Sequence, residues 1–509
     1  MTQRDIDSAL EKLRSERGKA LEELKQIVLR NDRDKLLFHL IHQHHLVSVI
    51  ARRDRAELDW DTKAICGVAE DAYSYAMQLV FKYGRRRSSV DLADYSRLVE
   101  ICRFINNSFE LEHFVHYVPF ERSGERLQTL RFDFGSALAD ATMTKVIEYM
   151  ARHERDVALR NNGAMPVRQL IGDIFRPAFD PELAKAFGLD ARDIMEFYGR
   201  LEDGISERMR EAVTRMPRLE AGLVDATNIE AFQAARFAYT LNYTAFIDRF
   251  GPRRQGFRKF FRRVSLSSED VDEGELRHFA IWRRPLLRLD SRHFTLSPEL
   301  LGFSVNIGLH YELLRGPSTK DAYQAKRAQQ FQTRSERALE EAGLYILGRN
   351  LAARYGPTDL GDIDILAEDS DRHLTVECKG VALPLPVYFH DLAYIRDVHL
   401  PYLRDEKRWD SKVVDRQLWL DAQRPSLGLS PSKPITSVII TENAEVISHF
   451  SDVVCLTIRE FPRWYAASKE RHRTIGFEEF QADVLKKVIW KPSSRDEVEG
   501  YYGIRFAKN

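Results

Sequence analysis

Apolar positions in the first half of the chain recur at helical spacing. Ile6, Leu10, Leu13, Ala20, Leu24 and Ile27 form one stripe, interrupted by Arg17. Similar stripes run from Ala64 to Tyr83, Leu92 to Phe109, Phe132 to Ala151, Ile194 to Val213 and Ile229 to Phe250. Pro166, Pro177, Pro217 and Pro252 mark breaks between them. No fixed repeat period emerges that would argue for a solenoid. The texture changes near Arg277. Leu286–Leu289 and His293–Leu296 flank Asp290-Ser291-Arg292 as a hairpin would, and a helix follows over Pro298–Leu314. Beyond it the pattern predicts a helix over Gln329–Ala342 ending at Gly343, then a strand over Leu344–Leu347. Two alternating runs come next, Ile363–Ala367 and His373–Cys378. A helix over Lys407–Gln423 has Val413, Leu418 and Leu420 among its apolar positions. Two β-branched apolar runs, Ile435–Thr441 and Val453–Ile458, read as buried strands. After Phe461 a helix and an irregular tail around Pro492–Glu499 are expected.

The two alternating runs carry the chemistry. Asp369, Ser370 and Asp371 between them are turn formers. A turn centred between Ser370 and Asp371 places Asp364 directly opposite Glu377. Opposed residues of an antiparallel pair share a face at roughly 5 Å between Cβ atoms. Lys379 lies on the same face, roughly 7 Å further along. Ile363, Ile365, Leu374, Val376 and Cys378 make the opposite, apolar face. Adjacent carboxylates raise each other's pKa. A hard cation such as Mg²⁺ relieves that repulsion, and metal, carboxylates and lysine together can direct water at a phosphodiester. A solvated cross-strand charge pair is the plainer alternative.

Asp364 with Glu377-Cys378-Lys379 resembles the acid and (D/E)xK triplet of the PD-(D/E)xK, or restriction-endonuclease-like, nuclease superfamily. Ile363 stands where the name has proline. The Gly361-Asp-Ile-Asp364 form is most similar to the Mrr-like and Holliday-junction-resolvase-like branch. The resemblance covers roughly residues 325 to 460. It implies a metal-dependent deoxyribonuclease. Asp364 and Glu377 would hold Mg²⁺ or Mn²⁺ with the Cys378 carbonyl, and Lys379 would assist the water or the developing charge. A glutamate on the preceding helix often contributes in that branch. Glu336 is the candidate, although the usual spacing falls nearer Gln332. DNA rather than RNA, and a role in bacterial antiviral defence or DNA repair, follow from the same resemblance. Many such nucleases act as dimers, so a homodimer is among the expected partners.

Composition limits the rest. A chain of 509 residues is expected to form two or three domains. Its 77 basic and 77 acidic residues cancel, so any nucleic-acid surface must be a local concentration of charge. Phe250–Arg263 is such a place, with Arg253, Arg254, Arg258, Lys259, Arg262 and Arg263 interleaved with Phe257, Phe260 and Phe261. Two readings stand: a phosphate grip with stacking rings, or an amphipathic helix with a solvated basic face. Arg85, Arg86 and Arg87 form a smaller basic cluster, read as a solvated loop. His39, His42, His44 and His45, like His113 and His116, lack the carboxylates or cysteines that would complete a metal site. Cysteines 66, 102, 378 and 455 show no CxxC spacing, which suggests a reducing compartment. With no apolar leader, no span of about 18 apolar residues and no Walker A loop, a soluble cytoplasmic protein without its own ATPase is expected.

The expected architecture is α+β and multidomain. A large all-α region covers 1–270 and a connector with hairpin and helix covers 271–324. A C-terminal α/β restriction-endonuclease-like domain over 325–509 has a central mixed sheet flanked by helices. The helical region reads equally as a recognition, oligomerisation or sensor module. Two rivals to the nuclease stand beside it: an inactive nuclease fold that binds nucleic acid or serves as a scaffold, and an effector silenced by its helical region until a regulatory protein partner binds.

Overall fold

The computed structural model describes residues 3–53, 60–87, 89–117, 120–122, 130–132, 141–160, 175–215, 239–271 and 277–483. Long helices dominate the first half: Gln3–Arg30, Arg33–Arg53, Trp60–Tyr83, Leu92–Tyr117, Ala141–Arg160 and Ala191–Arg215. Arg17 interrupts the first apolar stripe for a visible reason. Its guanidinium lies 4.0 Å from the Phe109 ring centroid and 2.6 Å from Glu112, so it ties this helix to the Leu92–Tyr117 helix. No helix of the described residues is long and apolar enough to cross a membrane.

The first region is mainly helical but not all-α. Among the described residues it holds four short strands: β1 (Phe120–Arg122), β2 (Leu130–Phe132), β3 (Thr240–Asn242) and β4 (Ser265–Leu266). Phe132 therefore ends a strand, and the helix expected from it starts at Ala141. The expected hairpin is present as β5 (Leu286–Arg288) and β6 (His293–Thr295). A two-stranded hairpin leaves backbone donors and acceptors unpaired on both edges. Here β3 covers one edge and β4 the other, in the order β3-β6-β5-β4. The expected connector is thus built into the first body, and Leu286, Leu287 and Phe294 share one core with Phe197, Phe257 and Phe260.

The second body is a five-stranded mixed sheet. Its strands are β7 (Tyr345–Tyr355), β8 (Thr358–Glu368), β9 (His373–Lys379), β10 (Ile435–Thr441) and β11 (Val454–Thr457), in the order β11-β10-β9-β8-β7. β7, β8 and β9 run antiparallel, while β9, β10 and β11 run parallel. Helices cover both faces. On one, Phe331 and Leu339 of the Lys320–Glu341 helix and Trp464 of the Phe461–Glu470 helix pack on Ile365, Leu374, Val376, Val438 and Ile440. On the other, Trp419 and Leu420 of the Trp409–Ala422 helix pack on Ala353 and Leu366. Leu418 of that helix faces outward instead, 60% exposed. The expected tail after Asp483 lies outside the described residues.

The two bodies share buried material. Leu13, Leu111, Tyr149 and Met150 from the first join Val413, Ile439, Val446 and Cys455 from the second in one cluster. Beside it, the buried Arg152 grips both oxygens of Glu460 at 2.9 and 2.7 Å. Burying such a pair contributes little net stability, but removing one partner strands the other charge. Arg152→Met should cost about 3–5 kcal/mol in urea unfolding. Adding Glu460→Gln to it should recover most of the loss.

Candidate active site

The β8–β9 ladder has the expected register. Ile365 pairs Val376, Leu366 pairs Thr375, Ala367 pairs Leu374 and Glu368 pairs His373. The turn is set by Asp369, whose Oδ1 accepts from the backbone N–H groups of Asp371 (2.7 Å) and Arg372 (2.8 Å). Continued by one pair, this register sets Asp364 against Glu377. Beyond the ladder the Asp364 side chain replaces backbone pairing, its Oδ2 accepting from Cys378 N at 2.6 Å. Lys379 donates to Glu377 Oε1 at 2.5 Å. Asp364, Glu377 and Lys379 therefore meet at one place at the end of β9.

The other two candidates fall differently. The Cys378 thiol points into the apolar layer and is pushed far up in pKa by burial, so only its backbone carbonyl can serve as a ligand. Glu336 turns to β7, where it pairs with Arg349 at 3.1 Å. It makes no hydrogen bond or ion pair with Asp364, Glu377 or Lys379 among the described residues. The reason is helical pitch, because Glu336 lies about one turn beyond the residue that does reach the site. That residue is Gln332, whose Nε2 donates to the Asp364 carbonyl at 2.8 Å and to Asn350 at 3.0 Å.

Arg416 is the participant that sequence reasoning missed. From the Trp409–Ala422 helix its Nη1 donates to Glu377 Oε2, and its Nε donates to the Leu360 carbonyl at 2.8 Å. Glu377 thus has a cation on each oxygen. The arginine crosses directly over Gly361, where a Cβ would stand 2.7 Å from Nη2. Gly361 also has φ +82°, a conformation side chains resist. The same helix sets Trp409 beneath Lys379, with Nζ 5.8 Å from the ring centroid. Gly380 permits another close approach, because a Cβ there would stand 2.8 Å from the Phe331 Cβ and the strand end or the Lys320–Glu341 helix would have to shift. No signal in the sequence says that Arg416, among the charged residues of its helix, faces the acids.

Asp364 is the unsettled member. Burial and the charge of Glu377 push its pKa up to about 6, against the Cys378 N–H and Lys379, which favour the anion. Its other carboxylate oxygen accepts no hydrogen bond among the described residues. A half-buried, underpaired carboxylate beside a second carboxylate and a strand-end carbonyl is a hard-oxygen donor set, which fits Mg²⁺ or Mn²⁺. No group of three or more His, Cys, Asp or Glu side chains with metal-ligand geometry occurs among the described residues.

The basic segment divides as well. Phe257, Phe260 and Phe261 are buried in the Arg254–Val264 helix, so they are core residues and not a stacking platform for bases. Arg253 is committed to Asp193 and to Glu196 (2.5 Å), and Arg254 lies 3.9 Å from Asp248. Arg258, Lys259, Arg262 and Arg263 remain exposed, without ion pairs among the described residues. The loop arginines are largely tied down: Arg86 pairs with Asp34 and Asp290, and Arg87 Nε bonds the Leu29 carbonyl. His39 is buried and its pKa falls to about 4, while His44 bonds Ser297 and His45 bonds Glu299. The side chains of Cys66, His113 and His116 lie outside the described residues.

Comparison with family models, curated proteins and solved structures finds no match to this chain.

The raised pKa fixes the sign of one pH effect. Between the unfolded value near 3.9 and about 6, the folded chain holds a proton on Asp364 that the unfolded chain has lost. Stability from this group is therefore greatest at low pH and falls as pH rises to about 6. Asp364→Asn, which can still accept from Cys378 N, should gain about 2 kcal/mol over wild type at pH 7.5 without metal. The gain should vanish near pH 4, as checked by urea midpoints at both pH values.

Proposed function

We propose that the chain is a metal-dependent nuclease hydrolysing phosphodiester bonds in DNA, with a restriction-endonuclease-like C-terminal domain. The observation that carries this reading is the meeting of Asp364, Glu377 and Lys379 at the end of β9, with an unpaired oxygen left on Asp364. The order of helix, three antiparallel strands, helix and two parallel strands supports it as well.

Asp364, Glu377 and the Cys378 carbonyl would hold Mg²⁺ or Mn²⁺, which supplies charge neutralisation and lowers the pKa of a coordinated water. The chain's own groups do the rest. Lys379, which donates to Glu377 and lies over Trp409, is the more exposed of the site's two cations (25%). It orients the attacking water and stabilises negative charge on the non-bridging phosphate oxygens. Gln332 holds the Asp364 backbone and so the angle of its carboxylate. As water adds to phosphorus, its proton leaves to solvent or a neighbouring base, and the P–O bond to the departing sugar oxygen breaks. Arg258, Lys259, Arg262 and Arg263 supply a basic face suited to the phosphate backbone.

Plasmid and linear DNA should be cut with Mg²⁺ or Mn²⁺ and not with EDTA. Asp364→Asn and Lys379→Met should each lose at least about 100-fold in rate. Equal cleavage by wild type and both variants would remove the mechanism. Binding without cleavage, weakening as salt rises, would favour the inactive nuclease fold. Because the cation must displace the Asp364 proton, cleavage at sub-saturating metal should fall as pH drops below about 6, and added metal should move that fall to lower pH.

A further inference from the structure

We propose that Arg416 makes cation uptake at the Asp364–Glu377 site conditional on a bound phosphodiester. The inference rests on the nuclease reading and adds to it a rule for the order in which the site fills.

The argument is a charge count within a half-buried space. Asp364 and Glu377 bring two negative charges, and Lys379 and Arg416 bring two positive ones. Without metal the group is neutral. Asp362, two residues before Asp364, is exposed and screened by water. Arg327 and Arg334 are engaged with Glu442 instead. A divalent cation entering alone leaves two uncompensated positive charges in a region where Glu377 and Arg416 are 8% and 9% exposed. Such an excess is costly away from bulk water. A phosphodiester entering with the cation removes part of it.

Arg416 cannot easily withdraw to relieve the excess. Its Nε is held by the Leu360 carbonyl, and Gly361 lies directly under its guanidinium. Lys379, on a flexible stem and more exposed, can move off Glu377 Oε1. The fixed cation is therefore the one that sets the penalty. By linkage, whatever factor the nucleic acid adds to cation affinity, the cation returns to nucleic-acid affinity.

The test is calorimetric titration of the full chain with Ca²⁺, a hard oxygen-seeking cation, with and without a short DNA duplex. Asp364→Asn, run in parallel, subtracts cations taken up by the phosphates alone. Wild type should bind Ca²⁺ at least about tenfold more tightly when the duplex is present. Arg416→Met should bind Ca²⁺ about tenfold more tightly than wild type without DNA, and should gain much less from DNA. Arg416→Lys, which keeps the charge but gives up the Leu360 anchor, should fall between the two, with clearly weaker coupling than wild type. A merely structural arginine would not tighten cation binding when removed.

Equal Ca²⁺ affinity in wild type with and without DNA overturns the proposal, as does equal or weaker binding by folded Arg416→Met. If Arg416→Met does not fold, wild type and Arg416→Lys still decide the coupling. Either failure leaves the nuclease reading intact where Mg²⁺-dependent cleavage persists. Absence of any Asp364-dependent cation binding overturns both.

Discussion

Two carboxylates set opposite each other at the end of a buried sheet repel, and much of the surrounding structure answers that repulsion. Register leaves no freedom in the matter, since a slip of one residue would turn Asp364 and Glu377 into the apolar layer. The Cys378 N–H, Lys379 and Arg416 each offset part of the negative charge. Gly361 exists in the form it does because the arginine must pass over it. The Trp409–Ala422 helix is placed so that one end supports Lys379 and its middle delivers Arg416. What remains unanswered, one oxygen of Asp364, is the place where function is sought.

The hairpin was legible because two independent signals agreed. Alternation gave the faces, and the Asp369-Ser370-Asp371 turn gave the register now seen in the ladder. Ile435–Thr441 was legible as a strand because seven residues, rich in β-branched side chains, run without a breaker. The helix before the hairpin is longer than its apolar pattern predicts. It starts at Lys320, in a polar stretch whose order comes from elsewhere: Tyr323 bonds His310, and Arg327 pairs with Glu442. Period alone could not find that start.

Other misses have the same origin in tertiary contact. Strands of two or three residues, such as β3 and β4, have no periodicity to detect and form only because a hairpin edge needs partners. The resemblance implies a glutamate on this helix, which singles out Glu336, whereas one turn of helix brings Gln332 to Asp364 instead. In the basic segment the spacing leaves both readings open, and burial of the three phenylalanines decides for core. Arg416 was beyond reach, since a helix pattern tells which side is apolar but not which charge will meet an acid on a distant strand.

The Lys320–Glu341 helix belongs to two interiors at once. Near its start Tyr323 is buried in the first body's core, and further along Phe331 and Leu339 are buried against the sheet. At about 33 Å it is a single stiff rod. The halves of this protein are therefore not interchangeable cassettes. A recombination event that moved the five-stranded sheet into another protein would have to carry a surface already shaped to the old neighbour, including Val413, Ile439 and Cys455 packed with Tyr149. Divergence in one half must be matched in the other, so the pair is expected to be inherited as a unit.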